Sequence, residues 1–239
     1  RRALGSVQPV EVNYRGSAGQ SFAAFAVSEM RVTLEGDAND YVGKGLSGAH
    51  VSIFPPKEAV ANGDFVAKDS VIIGNTCLYG ATSGRFFANG QSGDRFGVRN
   101  SGVQAVIEGA GDHCCEYMTN GIVVVLGPTG INVGSGMTGG VAYLHAPDGD
   151  DEVAARLNSG NVKGRRIVDA ASPAALSLRG LIEDHLEATG SKWAEELLED
   201  FDHTQFVQVV PPSEIDQPKN AVQELAEEEA PVPEPVASR

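Results

Sequence analysis

The chain has 239 residues, 41% of them hydrophobic, which is enough for a domain with a buried core. Its formal net charge of -14 and its pI near 4.7 argue against a surface for nucleic acid or anionic membranes, because phosphate groups are bound by clustered Lys and Arg side chains. Residues 1–10, a predicted linker, lack the apolar core of a secretory signal, and no aliphatic run is long enough to span a bilayer. We therefore expect a cytoplasmic protein.

Hydrophobic clusters recur at nearly regular intervals over residues 11–145. The gaps between their first residues are 17 to 20 residues, apart from one gap of 34 that divides into two of 17 at Ala88. This period is too short for a strand with a returning helix, but it suits coils of short strands and turns. Seven coils stacked at the interstrand distance would form a rod roughly 34 Å long. The spacing therefore predicts a right-handed parallel β-helix. The clusters begin at Val32, Val51, Val71, Ala105, Ile122 and Val141.

Glycine is concentrated in the same region. Of the 29 glycines, 21 lie between Gly36 and Gly140. Each coil has to turn several corners, and corners with positive φ favour Gly or Asn. The glycines predicted to form structural turns are Gly43, Gly45, Gly48, Gly109, Gly111, Gly127, Gly134, Gly136, Gly139 and Gly140.

Two segments match the dinucleotide-binding string G-x-G-x-x-G, namely Gly43–Gly48 and Gly134–Gly139. That string binds a pyrophosphate by leading a strand into a helix whose N-terminus faces the phosphates. Here the segments lead into the predicted strands Ala49–Phe54 and Val141–Leu144. The sequence therefore predicts turns at both places and no nucleotide site.

The three cysteines, Cys77, Cys114 and Cys115, are an odd number with two adjacent, which is a poor basis for a disulfide framework. We expect a reducing compartment. The string from His113 to Cys115 does not predict a metal site, because consecutive strand residues point to opposite faces and no second ligand pair follows.

A catalytic alternative rests on two aspartates. Asp94 and Asp112 are 18 residues apart, so they would stack on neighbouring coils beside Arg95 and His113. Such a pair would resemble the carboxylates of β-helical enzymes that cleave acidic polysaccharides. The acidic composition, which would repel a polyuronate, and the glycine-flanked turn positions favour solvated aspartates instead.

Residues 146–211 are predicted to form a capping segment with two helices and a short strand. Ser172 is a good N-cap with Pro173 at the first helical position, and Gly190 ends the apolar stripe of that helix. Ser191 begins the second helix, and the strand follows at 206–210. Residues 212–239 are rich in Pro and Glu and are predicted to be a disordered tail.

Several long strings of this sequence resemble a known family. Arg15–Phe22, Leu34–Gly48 and Gly127–Gly140, together with Gly74–Gly84 and Asp112–Met118, are similar to the GXGXG domain that ends the large subunit of glutamate synthase. The resemblance covers residues 11 to 212. It agrees with the β-helix that the spacing predicts.

The resemblance implies a part of an enzyme rather than a complete one. Glutamate synthase transfers the amide nitrogen of glutamine to 2-oxoglutarate, with electrons from NADPH, NADH or ferredoxin. Its large subunit uses FMN and a 3Fe-4S cluster, and FAD lies on its small subunit. The implied partners are the amidotransferase and FMN domains of the same large subunit, and the small NADPH-oxidising subunit. No catalytic, cofactor-binding or metal-binding residue is predicted in this segment, whose implied role is structural packing between domains.

One related family shares the glycine-rich coils. A β-helical domain occurs in a subunit of formylmethanofuran dehydrogenase. The string from Gly36 to Gly45 and the C-terminal helices favour the synthase, although Ala49 stands where that family generally has a second glycine.

Overall fold

A computed structural model describes residues 8–222. They form eleven strands and four helices, in chain order β1 (Val10–Ser17), β2 (Met30–Asp37), β3 (Ser47–Phe54), α1 (Lys57–Ala61), β4 (Val71–Ile73), β5 (Ser83–Ala88), β6 (Gln91–Ser92), β7 (Ser101–Ile107), β8 (Asn120–Val125), β9 (Val141–His145), α2 (Asp150–Arg156), β10 (Lys163–Arg166), α3 (Pro173–Thr189), α4 (Lys192–Glu199) and β11 (Phe206–Val210).

The large sheet confirms the predicted solenoid. Its strand order is β1-β2-β3-β5-β7-β8-β9-β11-β10, and all neighbours from β1 to β9 pair in parallel. Equivalent residues of successive coils therefore lie over one another, and their apolar side chains form a continuous interior column. One such column contains Val12, Val32, Val51, Phe86, Ala105, Val123 and Ala142.

The sequence predicted the right number of coils, but one of the predicted strands was assigned to the wrong sheet. Val71 does not lie in the large sheet, because β4 pairs with β6 in a separate two-stranded sheet. The next residue in the column after Val51 is Phe86, so the interval between them is a single coil that carries α1 as an insertion. The seventh parallel strand is β1, which precedes the first predicted cluster.

Both faces of the large sheet contribute to buried apolar clusters, except at β1, whose residues are mostly exposed. Alternate side chains along each strand point inward and outward, so Phe86 belongs to the interior column while Phe87 belongs to a second apolar cluster. That second cluster lies between the outer face of the sheet and helices α3 and α4, and it includes Tyr143, Leu178 and Ile182.

The first helix begins and ends at the predicted residues, and the second begins at the predicted residue but ends at Glu199, before Phe201, which was expected to lie on it. The Ser172 hydroxyl accepts a hydrogen bond from the Ala175 N–H at 3.2 Å, and Gly190 ends α3 in the left-handed conformation at φ +66°. Ser191 then caps α4 by accepting from the Ala194 N–H at 3.0 Å. Strand β11 lies at the predicted position, antiparallel to β9.

The predicted tail is ordered in its first part. Residues 212–222 contain two short 3-10 turns, and Val222 is buried in the second apolar cluster. The Arg165 guanidinium donates to the carbonyls of Ile215 and Asn220 at 3.1 and 2.7 Å, which fixes this segment against β10. Residues 223–239 lie outside the described residues. Within the described range, no helix has the length and apolarity needed to cross a bilayer.

Candidate functional site

Each of the first six coils contains an arc in which three alternate residues have left-handed backbone, with φ between +54° and +74°. The glycines of the G-x-G strings lie on these arcs. The arc residues are Ser21, Ala23 and Phe25 in the first coil, Tyr41, Gly43 and Gly45 in the second, Thr76, Leu78 and Gly80 in the third, Arg95, Gly97 and Arg99 in the fourth, His113, Cys115 and Tyr117 in the fifth, and Asn132, Gly134 and Gly136 in the sixth.

Hydrogen bonds between coils hold the arcs in this conformation. In the third coil, the N–H of Thr76 donates to the backbone carbonyl of Asp94 in the next coil at 2.8 Å, and the N–H of Gly80 donates to the backbone carbonyl of Val98 in that coil at 2.9 Å. The middle residue, Leu78, donates in the opposite direction, to the carbonyl of Val42 in the preceding coil at 2.7 Å. These bonds offset a left-handed conformation that costs a residue with a side chain roughly 1–2 kcal/mol.

A ladder of side-chain hydrogen bonds runs beside the arcs. Asp40 Oδ1 accepts from the Asn75 N–H, Asn75 Oδ1 from the Asp94 N–H, and Asp94 Oδ1 from the Asp112 N–H, all at 2.8 to 2.9 Å. Asp112 Oδ1 then accepts from the Ile131 N–H at 2.9 Å. The structure thus brings Asp94 and Asp112 together on neighbouring coils, and gives each an amide partner in the backbone of the next coil.

Six of the ten predicted turn glycines have left-handed φ. Gly43, Gly45, Gly134 and Gly136 lie on arcs, and Gly48 and Gly140 lie where strands begin, at φ +112° and +86°.

The other four lie where two coils approach closely. A Cβ at Gly111 would lie 2.1 Å from Asp94 Oδ1, and a Cβ at Gly127 would lie 2.2 Å from the Glu108 carbonyl oxygen. Gly109 and Gly139 are crowded in the same way, by Gln91 and by the Thr119 carbonyl. These glycines leave room for the ladder and for the neighbouring backbone.

A buried polar cluster joins the helices to the coils, and sequence analysis did not predict it. Glu108, His185 and Ser191 are each fully buried. Glu108 Oε1 accepts from the Ser191 hydroxyl at 2.5 Å and lies 3.2 Å from His185 Nε2. Glu108 Oε2 and His185 Nδ1 have no hydrogen-bond partner among the described residues. Because Ser191 also caps α4, one carboxylate fixes the junction of α3 and α4 against the sheet.

A half-open cavity of about 290 Å³ lies where the coils meet the helices. Three of its polar side chains have partners within the protein. Trp193 Nε1 donates to the Leu126 carbonyl at 2.8 Å, Arg156 pairs with Glu152, and His145 Nε2 lies 3.1 Å from the amide oxygen of Gln205. Burial lowers the pKa of His145, so its imidazole is neutral at pH 7. Gly127 forms part of the wall of this cavity.

The cysteines are free thiols in the interior. Cys77, Cys114 and Cys115 are all buried, and the sulfur atoms of the adjacent pair are 3.7 Å apart. Burial raises the pKa of Cys77 to about 12, and the pKa of Cys115 is raised by its contact with Cys114 and by burial, so neither is a reactive thiolate at neutral pH. Within residues 8–222, no group of three or more His, Cys, Asp or Glu side chains is placed to hold a metal ion.

Comparison with known proteins gives consistent matches along this chain. A family model described as GXGXG motif matches residues 4–212. The chain is 50% identical over 212 residues to ferredoxin-dependent glutamate synthase 2 of Synechocystis sp., covering 88% of this chain and 13% of that protein. It is 51% identical over 207 residues to the ferredoxin-dependent glutamate synthase of Pyropia yezoensis, covering 86% of this chain and 13% of that protein. With the NADH glutamate synthase of Schizosaccharomyces pombe the identity is 50% over 204 residues, which are 84% of this chain and 9% of that protein.

Proposed function

Because the chain belongs to the GXGXG family, we propose that it is the β-helical domain of a glutamate synthase polypeptide and acts there as a rigid spacer between catalytic domains. The matched segment is 13% or less of the relatives' length. In this proposal the chemistry belongs to the rest of the polypeptide, where an amidotransferase domain releases ammonia and an FMN domain uses it to make glutamate.

The proposal rests on the hydrogen bonds between coils, which engage the backbone groups of the arcs and the side chains of the ladder within the protein. The N–H of Leu78 and the carboxylate of Asp94 show the pattern, because each is bonded to a neighbouring coil. A backbone held by such bonds at every coil resists bending and shear. Stiffness of this kind suits a spacer that keeps two distant active sites in a fixed relationship.

The helices extend the same role to the outer face of the sheet. Helices α3 and α4 cover that face through an apolar cluster and through the Glu108 carboxylate. FMN, the 3Fe-4S cluster and FAD would be held by the other domains and by the small subunit. The residues of this chain would keep those domains at a fixed separation, so that ammonia passes between them without reaching solvent.

The test uses the full-length polypeptide and two substitutions in this chain. Gly127→Val, which places a side chain against the Glu108 carbonyl, should lower the glutamate formed per glutamine hydrolysed while glutaminase activity remains. Asp112→Asn preserves the ladder, since Asn75 already fills the equivalent place, and should leave the kcat for glutamate formation within about twofold. Loss of activity in Asp112→Asn with an unchanged melting temperature would assign a catalytic group to this chain and refute the proposal.

A further inference from the structure

The two ends of the solenoid differ in whether other residues of the protein cover the last coil. At the C-terminal end, the arc N–H of Gly136 donates to the side-chain amide oxygen of Asn161 at 2.9 Å, and Val162 packs over Gly134. The N–H of Val133 donates to the carbonyl of Arg156 at 3.0 Å. These contacts replace a further coil. At the N-terminal end, strand β1 pairs with β2 and with no other strand among residues 8–222.

The outer edge of β1 presents backbone groups that can pair with another strand. The N–H of Val10 donates to the carbonyl of Glu29 in the second coil at 2.7 Å. In a parallel pair, alternate residues direct their peptide groups to opposite sides. The N–H and C=O groups of Glu11, Asn13 and Arg15 therefore face away from β2. An eight-residue edge of this kind is a template for strand addition.

The arc of the first coil also lacks a partner that every later arc has. The middle arc residue of the second coil, Gly43, donates its N–H to the Phe22 carbonyl in the preceding coil at 2.8 Å, and the same bond recurs in the four coils that follow. Ala23 has the same left-handed backbone, with φ +56°. Its N–H faces the position of a preceding coil and has no acceptor among the described residues. The repeat itself therefore indicates where a carbonyl is missing.

The interior column opens into a cavity at this end. The cavity has a volume of about 290 Å³, and its apolar wall includes Tyr14, Phe22, Met30 and Val32. Val32 is 3% exposed because β1 covers it, whereas Tyr14 is 49% exposed. An apolar interior that is closed in every later coil is thus accessible in the first one, which marks an interaction surface.

We propose that the outer edge of β1 and this cavity receive an extended segment of the same long polypeptide, which adds a strand beside β1 and fills the cavity with an apolar side chain. This inference rests on the proposed function. The chain spans 13% or less of its relatives, so a partner segment in the same polypeptide would be present at a high effective concentration. One carbonyl of that segment accepts from Ala23.

The first test is photo-crosslinking in the full-length polypeptide. Tyr14 is replaced by benzoylphenylalanine, and Leu176, which is 61% exposed on α3, is replaced in a control. We expect the probe at position 14 to crosslink within one polypeptide, to a segment outside residues 1–239, and the probe at 176 not to reach that segment. Crosslinks from position 14 only between two copies, or none at all, would overturn the proposal.

The second test removes one outward N–H. Asn13→Pro leaves the bonds between β1 and β2 in place, because the lost N–H faces away from β2, and proline is tolerated on such an edge. Asn13→Ala is the matched control. In the full-length polypeptide, amide hydrogen exchange at Ala23 should be at least about tenfold faster in Asn13→Pro than in the control. Equal exchange would count against strand addition.

Both readouts are independent of catalysis. Crosslinking in a polypeptide that makes no glutamate would refute the proposed function alone. An active glutamate synthase with no crosslink from position 14 would refute the added strand alone.

Discussion

Substitution of Glu108 by Ala tests the junction between the helices and the coils. Glu108 is fully buried, and its Oε1 accepts from the Ser191 hydroxyl and faces His185 Nε2. Removing the carboxylate leaves the Ser191 O–H without an acceptor and His185 Nε2 without a partner, at about 1–3 kcal/mol each. The loss is partly offset because Oε2 has no partner in the described structure. We expect a net loss of about 3 kcal/mol in the free energy of unfolding.

The assay is urea and thermal unfolding followed by circular dichroism. For a folded region of this size, each kcal/mol lowers the melting temperature by about 2–4 °C, so Glu108→Ala should melt about 6–12 °C lower. Glu108→Gln keeps the volume and one acceptor oxygen, and should lose less stability than Glu108→Ala.

The matched control is Glu183→Ala on the same helical pair. Glu183 pairs with Arg179 at 2.9 Å, but both side chains are more than half exposed, so the loss should stay within about 0.5 kcal/mol. Equal melting temperatures for Glu108→Ala and Glu183→Ala would show that the buried carboxylate does not hold the helices.

The remaining predictions concern the ladder, the coil contacts and pH. Gly111→Ala should lower the free energy of unfolding by about 2 kcal/mol, because its Cβ would lie 2.1 Å from Asp94 Oδ1. Gly180→Ala, in a helix with open space around it, should raise the free energy of unfolding by about 0.5–1 kcal/mol. Chemical denaturation of the two variants shows whether the changes have opposite signs. Gly127→Val should lower the free energy of unfolding by at least about 1 kcal/mol, and an unchanged denaturation midpoint would contradict the close contact with Glu108. Burial lowers the pKa of both His50 and His145, so the unfolded chain binds more protons below about pH 6.5 and stability should fall as the pH drops from 7 towards 5.5. Replacing both histidines by Asn should flatten that slope in melting temperatures measured across the range, and an unaltered slope would assign the effect to other groups.

The regular part of the fold could be predicted from the sequence because it follows hydrophobic spacing. Val32, Val51 and Ala105 lie over one another as the spacing requires. Val71 misled the assignment because Val71–Ile73 is as apolar as a strand of the large sheet, although it lies in the second sheet. Hydrophobicity identifies a buried strand and does not identify which sheet contains it.

The arcs could not be predicted, because their backbone conformation is imposed by neighbouring coils. Sequence reasoning expected Gly or Asn at positive φ, but eleven of the eighteen arc residues are neither, Leu78 and Cys115 among them. Local preference disfavours such residues there. Hydrogen bonds to residues far away in the sequence decide the conformation.

The polar cluster was missed for a related reason. Glu108 follows a strand and precedes Gly109, which is typical of a solvated turn. Its burial depends on α3 and α4, and its contacts His185 and Ser191 lie 77 and 83 residues later in the chain. The recurrence of Asn75, Asp94 and Asp112 just after a glycine was a signal for the ladder that a comparison of successive coils would have found.

The insertion between β3 and β5 has a practical consequence. That coil takes 35 residues from Val51 to Phe86, whereas the preceding coil takes 19 from Val32 to Val51, yet β3 and β5 still pair residue by residue from His50 to Ile53. Extra length is therefore accommodated as an outward excursion at this corner. Gly63, in that excursion, is exposed, and the loop beside it would be a suitable place for inserting an affinity tag without replacing Gly63 itself, whose φ is +76°.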